Sequence, residues 1–165
     1  MRSWAWGIIV LAVAAVSGCA SFPAKGAPDE SLVVIKTEFI NPENLPRGFE
    51  VVFRFSDGYP DSWVGQYSWD YSLVKVNAPG ATLASLGTKV GGGFRGDEKA
   101  YNLDIPLPYE AGHIVIADFV FVHTMRKTGD NAQSSRFDFR AITPQEKDDL
   151  MAALKEDGRL DSWMP

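Results

Sequence analysis

The sequence is poor in the residue types that form disulfides or bind metals. It has one cysteine, Cys19, and two histidines, His113 and His123. A single cysteine excludes a disulfide within the chain, so the fold must be held by core packing. The two histidines lie on one predicted strand and are separated by roughly 33 Å at the usual rise per residue. They cannot share a metal ion, and we expect neither a metal nor a cofactor. We interpret both as strand-end histidines near the surface.

Recognisable catalytic patterns are also absent from the sequence. No serine lies in a Gly-x-Ser-x-Gly motif, and no pair of carboxylates has a spacing typical of glycoside hydrolysis. Asp118 is unusual because it interrupts an apolar stretch. It is a paired core carboxylate, an outward-facing residue or, as a third option, a general acid with a raised pKa. We predict that the protein is not an enzyme.

The chain has no excess of basic residues. Its 16 lysines and arginines face 21 acidic residues, giving a net charge of −5. Phosphate binding requires a basic face, so we expect no nucleic-acid partner. The same balance argues against attraction to anionic lipid headgroups.

No hydrophobic run is long enough to span a membrane as a mature helix. The longest, from Ile8 to Val16, follows Arg2 and leads into Val16-Ser17-Gly18-Cys19. A basic start, a short apolar run and a small-residue site are typical of a secretory signal segment. The four residues Val16-Ser17-Gly18-Cys19 resemble the lipobox of bacterial lipoproteins.

This resemblance implies that a diacylglyceryl group is attached to the Cys19 sulfur and that the chain is cut before Cys19. It also implies that the new amine is acylated, palmitate being a typical acyl chain. Two or three chains hold a protein firmly at a bilayer. Ala20 follows the cysteine, where an aspartate favours inner-membrane retention in some members, so we expect the outer membrane of the cell envelope. An ordinary signal peptide and an uncut anchor are the alternatives.

The rest of the chain predicts one domain behind a linker. Residues 1–18 form the signal peptide, 19–31 a flexible tether, 32–142 a β-domain, and 143–165 a C-terminal helix and tail. The tether is rich in proline and glycine and poor in apolar residues.

Seven short segments have the alternation or apolar content of strands and are separated by proline and glycine turns. They span residues 32–40, 50–56, 67–76, 82–90, 101–105, 113–122 and 136–140. We predict an all-β antiparallel sandwich of immunoglobulin-like or jelly-roll type.

One helix is predicted after the strands. Thr143-Pro144-Gln145-Glu146 is a capping box, Leu150 and Leu154 lie on an apolar stripe, and Gly158 is placed to end the helix. We expect it to close an open edge or end of the sheets, with the Trp163 tail docked on the same domain. The alternative is a partner-binding amphipathic tail.

The segment Tyr59–Tyr71 is the candidate ligand site. Trp63, Tyr67, Trp69 and Tyr71 are interleaved with acidic and amide residues, and the last three share one face if the segment is extended. Flat aromatic faces with polar neighbours suit a glycan. The competing interpretation is an aromatic strand that fills the core.

Two functions follow from the sequence. The first is a lipid-anchored, non-enzymatic envelope lipoprotein that binds or scaffolds another envelope component, with the bilayer contacted through Cys19. The second is a carbohydrate- or peptidoglycan-binding module that uses the aromatic segment. A cell-wall hydrolase is a distant third.

Overall fold

The computed structural model describes residues 25–45, 49–56, 62–63, 71–90, 99–130, 132–156 and 163. Within these ranges the chain forms eight strands and one helix. The elements are β1 (Ser31–Ile40), β2 (Phe49–Phe55), β3 (Ser62–Trp63), β4 (Tyr71–Val76), β5 (Thr82–Val90), β6 (Lys99–Pro106), β7 (Ile114–Gly129), β8 (Ala132–Ala141) and α1 (Pro144–Glu156).

The strands form two sheets that face each other. The first sheet has the order β4-β1-β7-β8 and the second the order β3-β2-β5-β6. Apolar side chains at alternate positions of both sheets form the core between them, as the period-2 patterns predict. The central members are Val33, Ile35, Val51, Phe53, Leu83, Leu86, Phe119 and Phe121. The predicted β-rich, sandwich-like architecture with a C-terminal helix is therefore confirmed.

The prediction of an antiparallel arrangement throughout was wrong for one strand pair. β1 runs parallel to β7, with Leu32 opposite Ile114 and Thr37 opposite Phe121, whereas every other described pair is antiparallel. Alternation records which face of a strand is buried but not the direction of its neighbour. Because β1 lies between β4 and β7, its second partner comes from a distant part of the chain.

The capping box is formed at the start of α1. The Thr143 backbone N–H donates to Glu146 Oε2 at 3.0 Å, and the Glu146 N–H donates to Thr143 Oγ1 at 3.2 Å. This reciprocal pair satisfies two donors that the first helical turn leaves unpaired.

The helix covers a face of the first sheet rather than an edge or end of the sandwich. Leu150 and Leu154 are buried against Leu32 and Val34, on the face opposite to the core. β1 therefore has apolar residues on both faces, Val33 and Ile35 toward the second sheet and Leu32 and Val34 toward the helix. The resulting order of layers is helix, first sheet, second sheet.

The tail docks on its own domain through Trp163. This side chain is 1% exposed and belongs to the cluster of Leu32, Val34, Leu150 and Leu154. The sequence prediction for this tryptophan is confirmed.

The end of the predicted tether is fastened to the domain. Glu30 is buried and its carboxylate accepts bonds from Lys75 Nζ at 3.0 Å and from the backbone N–H of Gly26 and Ala27. Lys25 Nζ donates to the backbone carbonyl of residue 112. This residue is Gly112, and its φ of 79° is a conformation that favours glycine. The part of the predicted tether from residue 25 onward is therefore docked, and residues 19–24 lie outside the described ranges.

Burial and hydrogen bonding act in opposite directions on the Glu30 carboxyl. Burial raises its pKa, but the bonds from Lys75, Gly26 and Ala27 outweigh this and hold the pKa below its usual range. The ionised Glu30 carboxylate is therefore favoured. Through its bonds to Lys75 of β4 and to the backbone of Gly26 and Ala27, it holds this segment beside β4.

Candidate functional site

The predicted aromatic site falls mostly outside the described part of the chain. Tyr67 and Trp69 are outside it, as is Cys19, and for Trp63 the backbone alone is described, paired with Val52 of β2. Tyr71 opens β4, is half-buried and packs against the cluster under α1. Its ring therefore contacts the helix layer and not the core between the sheets.

The histidines lie in different environments. His113 precedes β7 and is exposed, as predicted. The prediction of a surface position is wrong for His123, which is 6% exposed and lies between the rings of Phe39 and Phe137 at centroid distances of 5.0 and 4.8 Å. Its Nε2 is 3.1 Å from Ser135 Oγ. The reason is that β7 continues seven residues beyond its predicted end at residue 122, which places His123 inside the strand.

Asp118 takes the outward-facing position among the three alternatives. Its side chain is 83% exposed and accepts a hydrogen bond from Lys147 of α1. The Asp118 carboxylate therefore forms a surface ion pair that joins β7 to α1.

A cluster of four charged side chains joins the first sheet to the start of α1. Arg140 of β8 contacts Glu146 at 2.7 Å and Glu38 of β1 at 2.9 Å, and Lys36 of β1 contacts Glu146 at 2.8 Å. The hydrogen bonds from Arg140, Lys36 and Thr143 hold the pKa of Glu146 well below its usual range. The bonds to Glu146 and Glu38 raise the pKa of Arg140. This cluster positions the helix on the sheet.

Beyond this cluster, the helix does not cover the outer face of the first sheet. A half-open groove of about 360 Å³ lies there on the outer parts of β7 and β8. We call it the distal groove. It is lined by Thr124, Arg126, Ser134, Arg136 and Asp138.

The register of the β7–β8 hairpin explains how these side chains meet. Thr124 is opposite Arg136, Arg126 is opposite Ser134, and Asp138 is opposite Val122. Residues at alternate positions share a face, so all five point to the side that carries the helix. The groove thus forms where the apolar outer face becomes polar.

One arginine of the groove is paired. Arg136 Nε lies 2.7 Å from Asp138 Oδ2 and its Nη2 donates to Oδ1 at 3.0 Å, a two-point contact that raises the pKa of Arg136. Arg126, by contrast, makes no ion pair or side-chain hydrogen bond with any described residue, and it is exposed.

Two of the five residues that line the groove could be placed on its face from the sequence alone. Over residues 136–140 the sequence alternates Phe137 and Phe139 with charged residues, which predicts that Arg136 and Asp138 point away from the core. Thr124 and Arg126 were missed because the strand was predicted to end at residue 122. Their parity continues that of Val120 and Val122, so the pattern could have been extended.

Comparisons with known proteins assign no function to this chain. No protein-family model matches it, and no curated protein matches it significantly. In the described ranges, no helix is long and apolar enough to cross a membrane.

Proposed function

We propose that this chain is a lipid-anchored lipoprotein of the bacterial cell envelope that acts as a non-enzymatic binding or scaffolding module. The carrying observation is Val16-Ser17-Gly18-Cys19, preceded by Arg2 and a short apolar run. Within this proposal Cys19 carries the acyl groups, and the destination is the outer membrane because Ala20 follows it. The sandwich is of immunoglobulin-like or jelly-roll type, both of which pack two sheets.

The docked N-terminal segment supports a body held close to the bilayer. Lys25 is fastened to Gly112, so only the five residues 20–24 lie between the acylated cysteine and the domain. The step of six residues from Cys19 to Lys25 spans at most about 20 Å when extended. The end of the domain that carries Gly112 therefore faces the membrane.

The distal groove supports the binding role because it lies at the opposite end. β1 and β7 are parallel and both start at the end where residues 25–30 are docked. Arg126 is twelve residues beyond Ile114 in β7, which corresponds to about 40 Å along an extended strand. A partner in the groove would be held away from the anchoring membrane.

The non-enzymatic part of the proposal rests on residue chemistry. In this proposal Cys19 carries lipid, and His113 is a surface residue. His123 does reach a hydroxyl, Ser135 Oγ at 3.1 Å, but it is 6% exposed between two phenylalanine rings and so is shielded from solvent. Activation of a nucleophile needs a base that is within reach of it and of solvent.

Lipidation is tested by mass spectrometry of the full-length protein expressed in bacteria and isolated from membranes. We expect a mature N-terminal peptide that begins at Cys19 and carries the diacylglyceryl group. Cys19→Ala should keep residues 1–18 and lack the acyl mass, whereas the neighbouring Ser21→Ala should be processed normally. An unmodified Cys19 in the native protein would contradict the proposal.

A further inference from the structure

The lining of the distal groove has a small excess of positive charge, two arginines against one carboxylate, on an acidic protein. Arg126 on β7 and Arg136 on β8 both line it, and Asp138 is the one carboxylate in the lining. The whole chain has a net charge of −5. Since Asp138 engages Arg136, the exposed guanidinium of Arg126 is the one in the lining without a protein partner among the described residues.

The Arg136–Asp138 pair shows which ligand chemistry the groove accepts. The carboxylate meets Nε and Nη2 side-on at 2.7 and 3.0 Å, as an external carboxylate would. Arg126 presents the same planar donor set without such a partner. Thr124 and Ser134 add hydroxyl groups beside the two guanidinium groups.

The spacing of the two arginines matches an extended peptide. Arg126 is opposite Ser134 and Arg136 is opposite Thr124, so the arginines are diagonal neighbours across the hairpin. Such positions are about 7–8 Å apart. Side chains at alternate positions of an extended peptide are separated by about 6.6–6.8 Å and point the same way.

The neighbouring strand edge favours a peptide over other polyanions. β8 is the last strand of the first sheet, and its residues are half-buried or exposed along its length. An edge strand carries backbone N–H and C=O groups that point away from the sheet. A peptide paired with this edge would have its main chain held by β8 and its side chains beside Arg136. Arg126 on β7 lies one strand further away, about 5 Å more, a distance that its long side chain covers.

We propose that the distal groove binds an extended acidic peptide segment of an envelope protein, with carboxylates at alternate positions meeting Arg126 and Arg136. This inference deepens the proposed function, on which its cellular setting rests, by giving the binding module a partner class. In the complex, Asp138 competes with the peptide for Arg136.

Fluorescence anisotropy on the full-length protein in neutral detergent tests the proposal. The probe is a labelled pentapeptide amide with glutamate at its second and fourth positions and threonine elsewhere. The control has the same composition but adjacent glutamates, which point to opposite faces when extended. We expect the alternating peptide to bind at least fivefold more tightly and its affinity to fall with added salt.

Three variants with preserved circular dichroism separate the groove from general electrostatics. Arg126→Gln should weaken binding of the alternating peptide about fivefold or more. Asp138→Asn should strengthen it about threefold, because Arg136 is released from its internal partner. Lys155→Gln removes one positive charge in the last turn of α1 and should change affinity by less than twofold.

Equal affinity for the two peptides, or an unchanged affinity in Arg126→Gln, would overturn the proposal. So would tighter binding of polygalacturonate at equal carboxylate concentration, which would assign the groove to an anionic polysaccharide. Because these measurements use purified protein, they do not depend on whether Cys19 is acylated. Failure here and failure of the lipidation test are therefore distinguishable.

Discussion

Two buried serines of the first sheet differ in how their hydroxyl groups are bonded. Ser31 in β1 is fully buried, and its Oγ donates to the His113 carbonyl and accepts from the Glu110 N–H, both at 3.3 Å. Ser72 in β4 is 3% exposed, and its Oγ has no hydrogen-bond partner in the described ranges. A buried hydroxyl without a partner has lost its bonds to water without replacement.

We expect opposite effects of alanine at these two positions. Ser72→Ala should raise the free energy of unfolding by about 1 kcal/mol, since it removes an uncompensated polar atom. Ser31→Ala should lower it by about 1–2 kcal/mol, since it leaves the Glu110 N–H without its acceptor. Urea denaturation of both variants beside the wild type measures the difference. A loss of stability in Ser72→Ala would contradict the reasoning.

At the scale of the element, α1 is held to the sheet by its first turn as well as by its apolar stripe. Glu146 closes the capping box and also receives Arg140 and Lys36. One carboxylate therefore links the start of the helix to β8 and β1. The folded state lowers its pKa, so protonation of Glu146 favours the unfolded chain.

This linkage predicts an acid-sensitive contribution from Glu146. Because its folded pKa lies below the unfolded value, the stabilisation is fully present above the ordinary glutamate pKa and is lost as pH falls toward the folded one. Glu146→Gln should therefore be less stable than wild type at pH 7, and the gap should narrow as the pH falls below about 4.

Urea midpoints between pH 7 and pH 3 measure this gap. Glu156→Gln, at the exposed last residue of the same helix, is the matched control and should show no comparable gap. A wild-type advantage over Glu146→Gln that stays constant across this range would contradict the assignment.

At the scale of the whole molecule, a residue that follows α1 in the chain packs against β1, the first described strand. Trp163 packs on Leu32 and Val34 of β1 together with Leu150 and Leu154. The layer between α1 and β1 is therefore closed only when Trp163 packs there. This cluster joins β1, α1 and Trp163.

Trp163→Ala should destabilise the protein by about 3–5 kcal/mol, because it leaves a large cavity between helix and sheet. Met151→Ala, at a half-buried position of the same helix, should cost clearly less. Urea unfolding and binding of a hydrophobic dye measure both variants. Equal destabilisation by the two substitutions would show that the tail does not seal the layer.

Some of this organisation could be predicted from the sequence. Thr82–Val90 was predicted with the bounds that β5 has, the alternation of Val51, Phe53 and Phe55 identified core residues, and Thr143–Glu146 identified the helix start. These features depend on neighbouring residues. The identity of the anchor at Cys19 and the aromatic site from Trp63 to Tyr71 remain predictions.

Other features could not be predicted because they depend on pairing between distant segments. The two-sided burial of β1 is an example. The alternation over residues 32–40 predicted one apolar face with Val33 and Ile35, and only the helix gives Leu32 and Val34 on the other face a partner. The distal groove is different, because Arg126 and Ser134 belong to one local hairpin. It was missed because β7 was predicted to end at residue 122.

The sequence by itself determined the local elements of this protein, because the faces of a strand and the cap of a helix are set by residues a few positions apart. The tertiary structure decided that β1 runs parallel to β7, that His123 is enclosed, and that α1 lies on a face of the sheet. The physical reason is that burial and charge pairing arise between segments far apart in the chain, and nearest-neighbour patterns contain no record of which segments meet.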